Sequence, residues 1–290
     1  MIYHVRHKST VTYAAAVTQA QFNLRLVPWF WPGQYLRDCD LQITPPPNSQ
    51  DENAGPYCVN TTQIGFSQTL SEIEVTSEFT MAVDPRQLDS TGPSVQNLRS
   101  EAASVRDLSA TSPVPYLFAS RIAGIDDAIG DWASSCLQPD TAIIDAATAL
   151  TAAIHREFTY SKGATTSSTT PEEAFAKREG VCQDFAHIMI VALRSQGIPA
   201  AYVSGYLRTL PPPGRPKLVG ADAMHAWVNV WCGNALGWVG FDPTNNCLAR
   251  EDHILIAQGR DYADVSPIDG TFIGNSPQKM VTEVDVTLVG

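Results

Sequence analysis

The sequence predicts an α+β protein: an N-terminal, antiparallel, β-sandwich-like region followed by a core of helices packed on an antiparallel sheet. Three observations carry this. Residues 1 to about 85 hold five runs of alternating or β-branched character, broken by Pro/Gly/Asn clusters. From about residue 126 the apolar positions recur at three and four residues, the period of a helix packed on a core. Beyond residue 200 the alternation of strands returns. The expected organisation is a β-rich region over 1–105, a core over 106–265, and strands over 266–290 that close a sheet.

The elements follow in order. Strands are expected over 2–13, 21–27, 37–44, 57–66 and 72–83, with breaks at the Pro45-Pro46-Pro47-Asn48 cluster and at 51–56. The stretch 87–114 is rich in Ser, Thr and Asp and reads as a connector. A helix is expected over 126–136. Asp140 is the expected cap of a second, whose stripe is Ile143, Ala147, Leu150, Ile154 and Phe158. Residues 164–170 form a polar loop, and Pro171-Glu172-Glu173 has the form of a helix start. Cys182 opens a third stripe through Phe185, Ala186, Met189, Ala192 and Leu193, ended by Gly197 as left-handed cap and by Pro199. Strands follow at 202–207, 223–232 and 237–242. Between the first two, Pro211-Pro212-Pro213-Gly214 reads as a rigid loop bordering a cleft. Short strands at 254–257, 271–273 and 280–288 complete the chain.

Composition excludes several classes. With 290 residues, 44% hydrophobic and 17% charged, the chain can bury real cores. Its net charge of −11 argues against a phosphate-backbone partner, because nucleic-acid binding needs a positive footprint. The first eight residues have no apolar signal segment, and no run approaches the roughly 18 residues of a membrane span. A cytoplasmic protein with no membrane partner is expected. Cys39, Cys58, Cys136, Cys182, Cys232 and Cys247 are scattered, which suits free thiols in a reducing compartment. No C-x-x-C pair occurs, and His4 and His7 point to opposite faces of a strand, so neither a metal centre nor another cofactor is expected.

Chemistry concentrates in three segments. Gly180 permits a sharp turn, so Cys182 falls in the first turn of its helix, where unpaired N–H groups and the macrodipole favour a thiolate. Those N–H groups also suit an oxyanion. Asp184 opposes this charge unless it satisfies first-turn N–H groups or pairs with Lys177 or Arg178. His225 shares one strand face with Trp227, Asn229 and Trp231, a polar-aromatic face suited to a cleft wall. Asp242 ends the next strand before Pro243, 17 residues beyond His225, so an antiparallel return brings carboxylate and imidazole together. Each residue also has a plainer role: a buried small Cys, a structural His, an Asp that starts a turn.

The wording around them narrows the choice. Arg178 to His187, Leu193 to Ala200, Tyr202 to Leu207, His225-Ala226-Trp227 and Gly237 to Asn245 resemble the bacterial transglutaminase-like superfamily. This is a branch of the papain-like cysteine enzymes, often described as cysteine proteases. Phe158-Thr159-Tyr160 matches its entry to the core, and the resemblance spans roughly residues 140 to 250. Tyr3 to His7, Leu24 to Pro28 and Gly33-Gln34 resemble the N-terminal domain that precedes that core. Two departures are Asp222-Ala223-Met224 before His225, where the family commonly has a small residue, and Tyr57-Cys58-Val59-Asn60 in place of Phe-Gly-Asn. The resemblance implies a papain-like fold and a catalytic set of Cys182, His225 and Asp242 acting on a peptide or protein substrate. Gln183, Tyr160 and Trp227 are the further oxyanion or cleft candidates. Hydrolysis, transamidation by an amine and a non-catalytic binding module that keeps the fold all remain open at this level, with hydrolysis favoured.

Overall fold

The computed structural model describes residues 1–166, 168–209, 222–275 and 277–290. The strand-rich region holds β1 (Ile2–Val17), β2 (Gln19–Leu24), β3 (Gln34–Thr44), β4 (Ser49–Ala54), β5 (Asn60–Phe66) and β6 (Leu70–Val83). Two strands from the far end of the chain, β14 (Ile268–Ile273) and β15 (Gln278–Leu288), join them. They form two four-stranded antiparallel sheets, in the orders β15-β1-β6-β3 and β14-β2-β5-β4. Val11, Phe22, Leu24, Ile64, Phe66 and Ile73 from both sheets fill the layer between them, as period-two alternation requires.

The core contains α1 (Val95–Ser104), α2 (Asp127–Ala133), α3 (Ile143–Glu157), α4 (Pro171–Lys177), α5 (Cys182–Ser195) and the short α6 (Tyr262–Val265). Its sheet runs β12-β11-β10-β9-β13, with β9 (Ala200–Leu207), β10 (Met224–Trp231), β11 (Trp238–Asp242), β12 (Cys247–Leu248) and β13 (His253–Gly259), all antiparallel. A two-residue parallel pair, β7 (Thr159–Tyr160) with β8 (Glu179–Gly180), leads into α5. Among the described residues no helix is long and apolar enough to cross a membrane.

Helix α5 is buried on every side from Asp184 to Arg194. One side meets Ala226, Val228, Val230, Val239 and Phe241 of the sheet. Its end is a Schellman motif: Gly197 at φ +68° donates to Arg194 O, and Ile198 donates to Leu193 O. The opposite face of the sheet is covered too. Trp31 packs on Trp227 and Leu255, and the Leu255 N–H donates to Gln34 Oε1 at 2.9 Å. Tyr3, Val5, Phe79 and Met81 pack on Tyr206, Ile254 and Ile256. Strand β1 thus serves two cores, the sandwich with its second half and the sheet interface with its first.

Four expectations change. The connector over 87–114 contains α1, capped by Ser94, whose Val95, Leu98 and Ala102 are buried in the core; three apolar positions among polar ones were too few to register as a stripe. The residues around 51–56 contribute to β4, an entirely exposed edge strand with no apolar face to alternate. Asp140 is not the cap of α3; Ala142 holds that position and makes no side-chain cap bond. Val59 N–H bonds Tyr57 O within the Tyr57-Cys58-Val59-Asn60 turn, and β5 starts only at Asn60. The 211–214 loop lies outside the described residues.

Candidate active site

The approach to Cys182 is held from both sides. Thr170 and Glu173 form a reciprocal capping box at the start of α4, and Arg178 ends that helix in the left-handed region at φ +56°. The Arg178 guanidinium stacks on Phe175 at 4.0 Å and Phe158 at 4.6 Å, so the charge sits over apolar rings rather than beside Asp184. Asp184 instead accepts from Val181 N–H at 2.8 Å and Thr165 Oγ1 at 2.6 Å. That is half a capping box, since valine has no side-chain oxygen to complete it. Gly180 is required for space, not for an unusual φ: a Cβ there would lie 2.7 Å from Asp184 Oδ2. Cys182, half-buried, therefore opens α5 with its acidic neighbour already committed to backbone and Thr165.

His225 stands near the start of β10, opposite Gly205 of β9. Its Nε2 lies 2.8 Å from Asp242 Oδ2. Asp242 is wholly buried and collects five donors. His225 Nε2, His253 Nε2 at 3.1 Å and Asn245 Nδ2 at 2.7 Å reach Oδ2; the N–H groups of Thr244 and Asn245 reach Oδ1 at 2.9 and 3.1 Å. Burial acts against the charged carboxylate. The bonds from His225, His253 and Asn245 outweigh it and hold Asp242 well below the usual carboxylate range. For His225, burial acts to lower the imidazole. The Asp242 bond, a bond with Cys182 and the charges of both override it and push His225 up to about 10. With Nε2 turned to Asp242, Nδ1 is the nitrogen left for the sulfur. The structure thus joins His225 to Asp242, with Cys182 among the groups that raise the imidazole.

The other candidates divide. Tyr160 lies half-exposed on β7, its ring edge-on to Phe185 at 6.3 Å; burial and then the charge of Cys182 push its phenol up. Gln183 occupies the second position of α5 and is partly buried. Trp227 is 2% exposed, stacks at 6.2 Å on His225, and with Trp31, Asn229 and His253 lines a cavity that does not include Cys182. Asn229 and Trp231 are buried as well, Asn229 donating to Gln258 Oε1 at 2.7 Å and Trp231 within the main core. Asp222, the departure before His225, is buried and accepts the Val286 N–H at 2.8 Å, tying β15 to the approach to β10.

Two residues at the site were missed in the sequence. Asn245 was only part of a loop after Pro243. His253 precedes the apolar run Ile254-Leu255-Ile256-Ala257, and the available signal was a polar residue at the head of a wholly buried strand. His225, Asp242 and His253 place three potential metal ligands within 4.8 Å of one another. Their protonation does not suit a cation. His253 Nδ1 accepts the Arg250 N–H at 3.3 Å, so in the neutral ring the proton is on Nε2 and points at Asp242.

Comparison with known proteins agrees with this architecture. The transglutaminase-like superfamily pattern matches residues 130–243, and the bacterial transglutaminase-like N-terminal region matches residues 3–82. An uncharacterized protein of Mycobacterium tuberculosis is 34% identical over 292 residues, spanning 99% of this chain and 92% of that one. A protein-glutamine gamma-glutamyltransferase of Pseudomonas aeruginosa is 38% identical over 126 residues, 42% of this chain and 18% of that protein. The crystal structure of a candidate cysteine protease from Cytophaga hutchinsonii shares the fold with TM-score 0.74 at 24% identity, covering 100% of this chain and 92% of the other.

Proposed function

The chain belongs to the transglutaminase-like superfamily, with the N-terminal region of its bacterial members, and on that footing we propose that it is a cysteine-dependent acyl-transfer enzyme. Cys182 is the nucleophile, His225 the acid–base group and Asp242 its orienter. The Cys182 sulfur attacks a peptide or carboxamide carbonyl carbon, and the oxyanion meets the N–H groups at the start of α5. His225 gives its Nδ1 proton to the departing amine as the C–N bond breaks, leaving a thioester. Water, losing a proton to His225, then attacks the thioester and releases the acid and the thiolate. Neither a metal nor another cofactor takes part in these steps.

The observation that carries the reading is the five-donor environment of a wholly buried Asp242 beside a strongly basic His225. A structural histidine needs no such charge; an imidazolium that must persist next to a thiolate does. Hydrolysis is favoured over transamidation because it requires no second substrate groove.

The test is to incubate the protein with peptides and glutamine-containing proteins, with and without a primary amine, and to follow products by mass spectrometry. Cleavage or ammonia release without amine incorporation is expected. Amine incorporation in competition with water would make it a transferase. Cys182→Ala should abolish product, His225→Ala should be nearly as damaging, and Asp242→Ala should leave residual activity. No Cys182-dependent product, together with no labelling of Cys182 by an electrophilic probe, would leave a binding module.

A further inference from the structure

We propose that His253 is a positioning residue of this site, a neutral second donor that holds Asp242 so that His225 keeps Nδ1 on Cys182. The inference rests on the acyl-transfer reading above and adds a fourth side chain to it.

The geometry gives His253 one available role. Its Nδ1 is taken by the Arg250 N–H at 3.3 Å, which leaves the ring proton on Nε2, 3.1 Å from the same Asp242 oxygen that His225 uses. The ring is only 7% exposed and its plane is set by Trp227, whose ring meets it edge-on at 5.2 Å and 80°. Trp227 also stacks on His225. One indole therefore fixes the attitude of both imidazoles, and one carboxylate oxygen receives both of them.

The consequence follows from charge. Two imidazolium ions on one carboxylate would divide its stabilisation between them. A neutral His253 donates a hydrogen bond and leaves the negative charge to His225. The groups facing Asp242 are His225 from β10, His253 from β13 and Cys247 from β12, whose thiol is pushed up by burial and by the Asp242 charge. From α5, Cys182 acts on His225; from α3, His155 stops at the Thr244 carbonyl at 2.9 Å. The His253 bond is one of the causes that keep Asp242 ionised, so its loss should let the carboxylate take up a proton at higher pH.

The experiment needs no substrate. The full chain is labelled briefly with iodoacetamide across pH, and Cys182 is quantified by peptide mapping in wild type, His253→Phe and His253→Gln. Phe keeps the ring packing against Trp227 without the donor; Gln restores an N–H near the Nε2 position. The expected result is a fall of about tenfold or more in Cys182 labelling at neutral pH in His253→Phe, by analogy with removing the hydrogen bond behind a metal-ligating histidine. The acid limb should move toward neutrality, and His253→Gln should recover both. If His253→Phe fails to fold, His253→Asn replaces it, since its shorter amide reaches the Nδ1 place and not the Nε2 place. Equal labelling and an unmoved limb in folded variants would overturn the role of His253 alone. A lower melting temperature with an unmoved limb would do the same, by making the residue merely structural. Slow labelling of wild-type Cys182 would overturn the thiolate reading and this inference with it.

Discussion

His7 and His225 are both largely withdrawn from water and both hydrogen-bonded, yet burial drives the first down to about 4 while the second is pushed up to about 10. The neighbours of His7 are neutral hydroxyls. Tyr206 Oη lies 2.9 Å from Nδ1, Ser9 Oγ 2.9 Å from Nε2, and Thr282 Oγ1 2.9 Å beyond Ser9. These satisfy the ring without rewarding a proton, so desolvation alone decides its state. His225 faces Asp242 and Cys182, and their bonds and charges override the same desolvation. Burial and hydrogen bonding are common to both; an ionised partner is not. The difference separates a histidine that joins β1 to the core sheet from one poised for proton transfer.

The largest expected effect breaks the comparison by making the second histidine resemble the first. Asp242→Asn removes the charge and keeps the shape. His225, followed by NMR of its ring protons, should then titrate well below 10, and labelling of Cys182 at pH 7 should fall by about a thousandfold. Titration still near 10 would mean that Asp242 is not what sets His225.

A smaller effect appears in stability against pH, with opposite signs at the two sites. His7 is depressed, so its contribution is present above pH 6.5 and is lost as the pH falls through about 4. The fall from 6.5 to about 4 corresponds to about 3 kcal/mol. His187, wholly buried in α5 and lowered to about 4 first by that burial, adds to the same acid limb. His225 is raised, so its contribution is present below pH 6.5 and fades as the pH rises through about 10. Denaturant melts from pH 4 to 10 should show both limbs. His7→Gln should reduce the acid limb by roughly half and leave Cys182 labelling unchanged; an acid limb unaffected by that change would remove His7 from the account.

The smallest effect sharpens the cause. Tyr206→Phe removes the hydroxyl on His7 Nδ1 and should cost about 1 kcal/mol. Because burial sets His7, its titration should stay near 4. A shift of His7 back toward 6.5 would show that the tyrosine bond, and not desolvation, holds it neutral.

The reactive chemistry was legible early because short-range pattern carries it. Gly180 before Cys182, an apolar stripe to Gly197, and a two-strand return from His225 to Asp242 are relations within a few tens of residues. The sandwich strands were legible for the same reason. What escaped was either weakly patterned, as in α1 with its three buried positions and β4 with none, or depended on the order of strands in the sheet. His253 is only 11 residues beyond Asp242, but β13 joins the edge beyond β9 and not beside β11, so no two-strand return marks the pair. Arg178 is drawn away from Asp184 by three aromatic rings, Trp132 of α2, Phe175 of α4 and Phe158 just past the end of α3.

By itself the sequence determined the α+β layering, because periodicity and local turns dictate which residues share a face; the family and the three side chains on which the proposed chemistry rests came from the resemblance its motifs carry. Only the tertiary structure decided that both faces of the core sheet are covered. Trp227 is thereby buried against the rings of His225 and His253, and the second of these imidazoles also reaches Asp242. It also decided which buried histidine gains a charge and which loses one. Proton affinity in a protein interior depends on which charges and hydrogen-bonding groups stand beside the ring; for His7 that neighbour is Tyr206, 199 residues along the chain, and only packing brings it there.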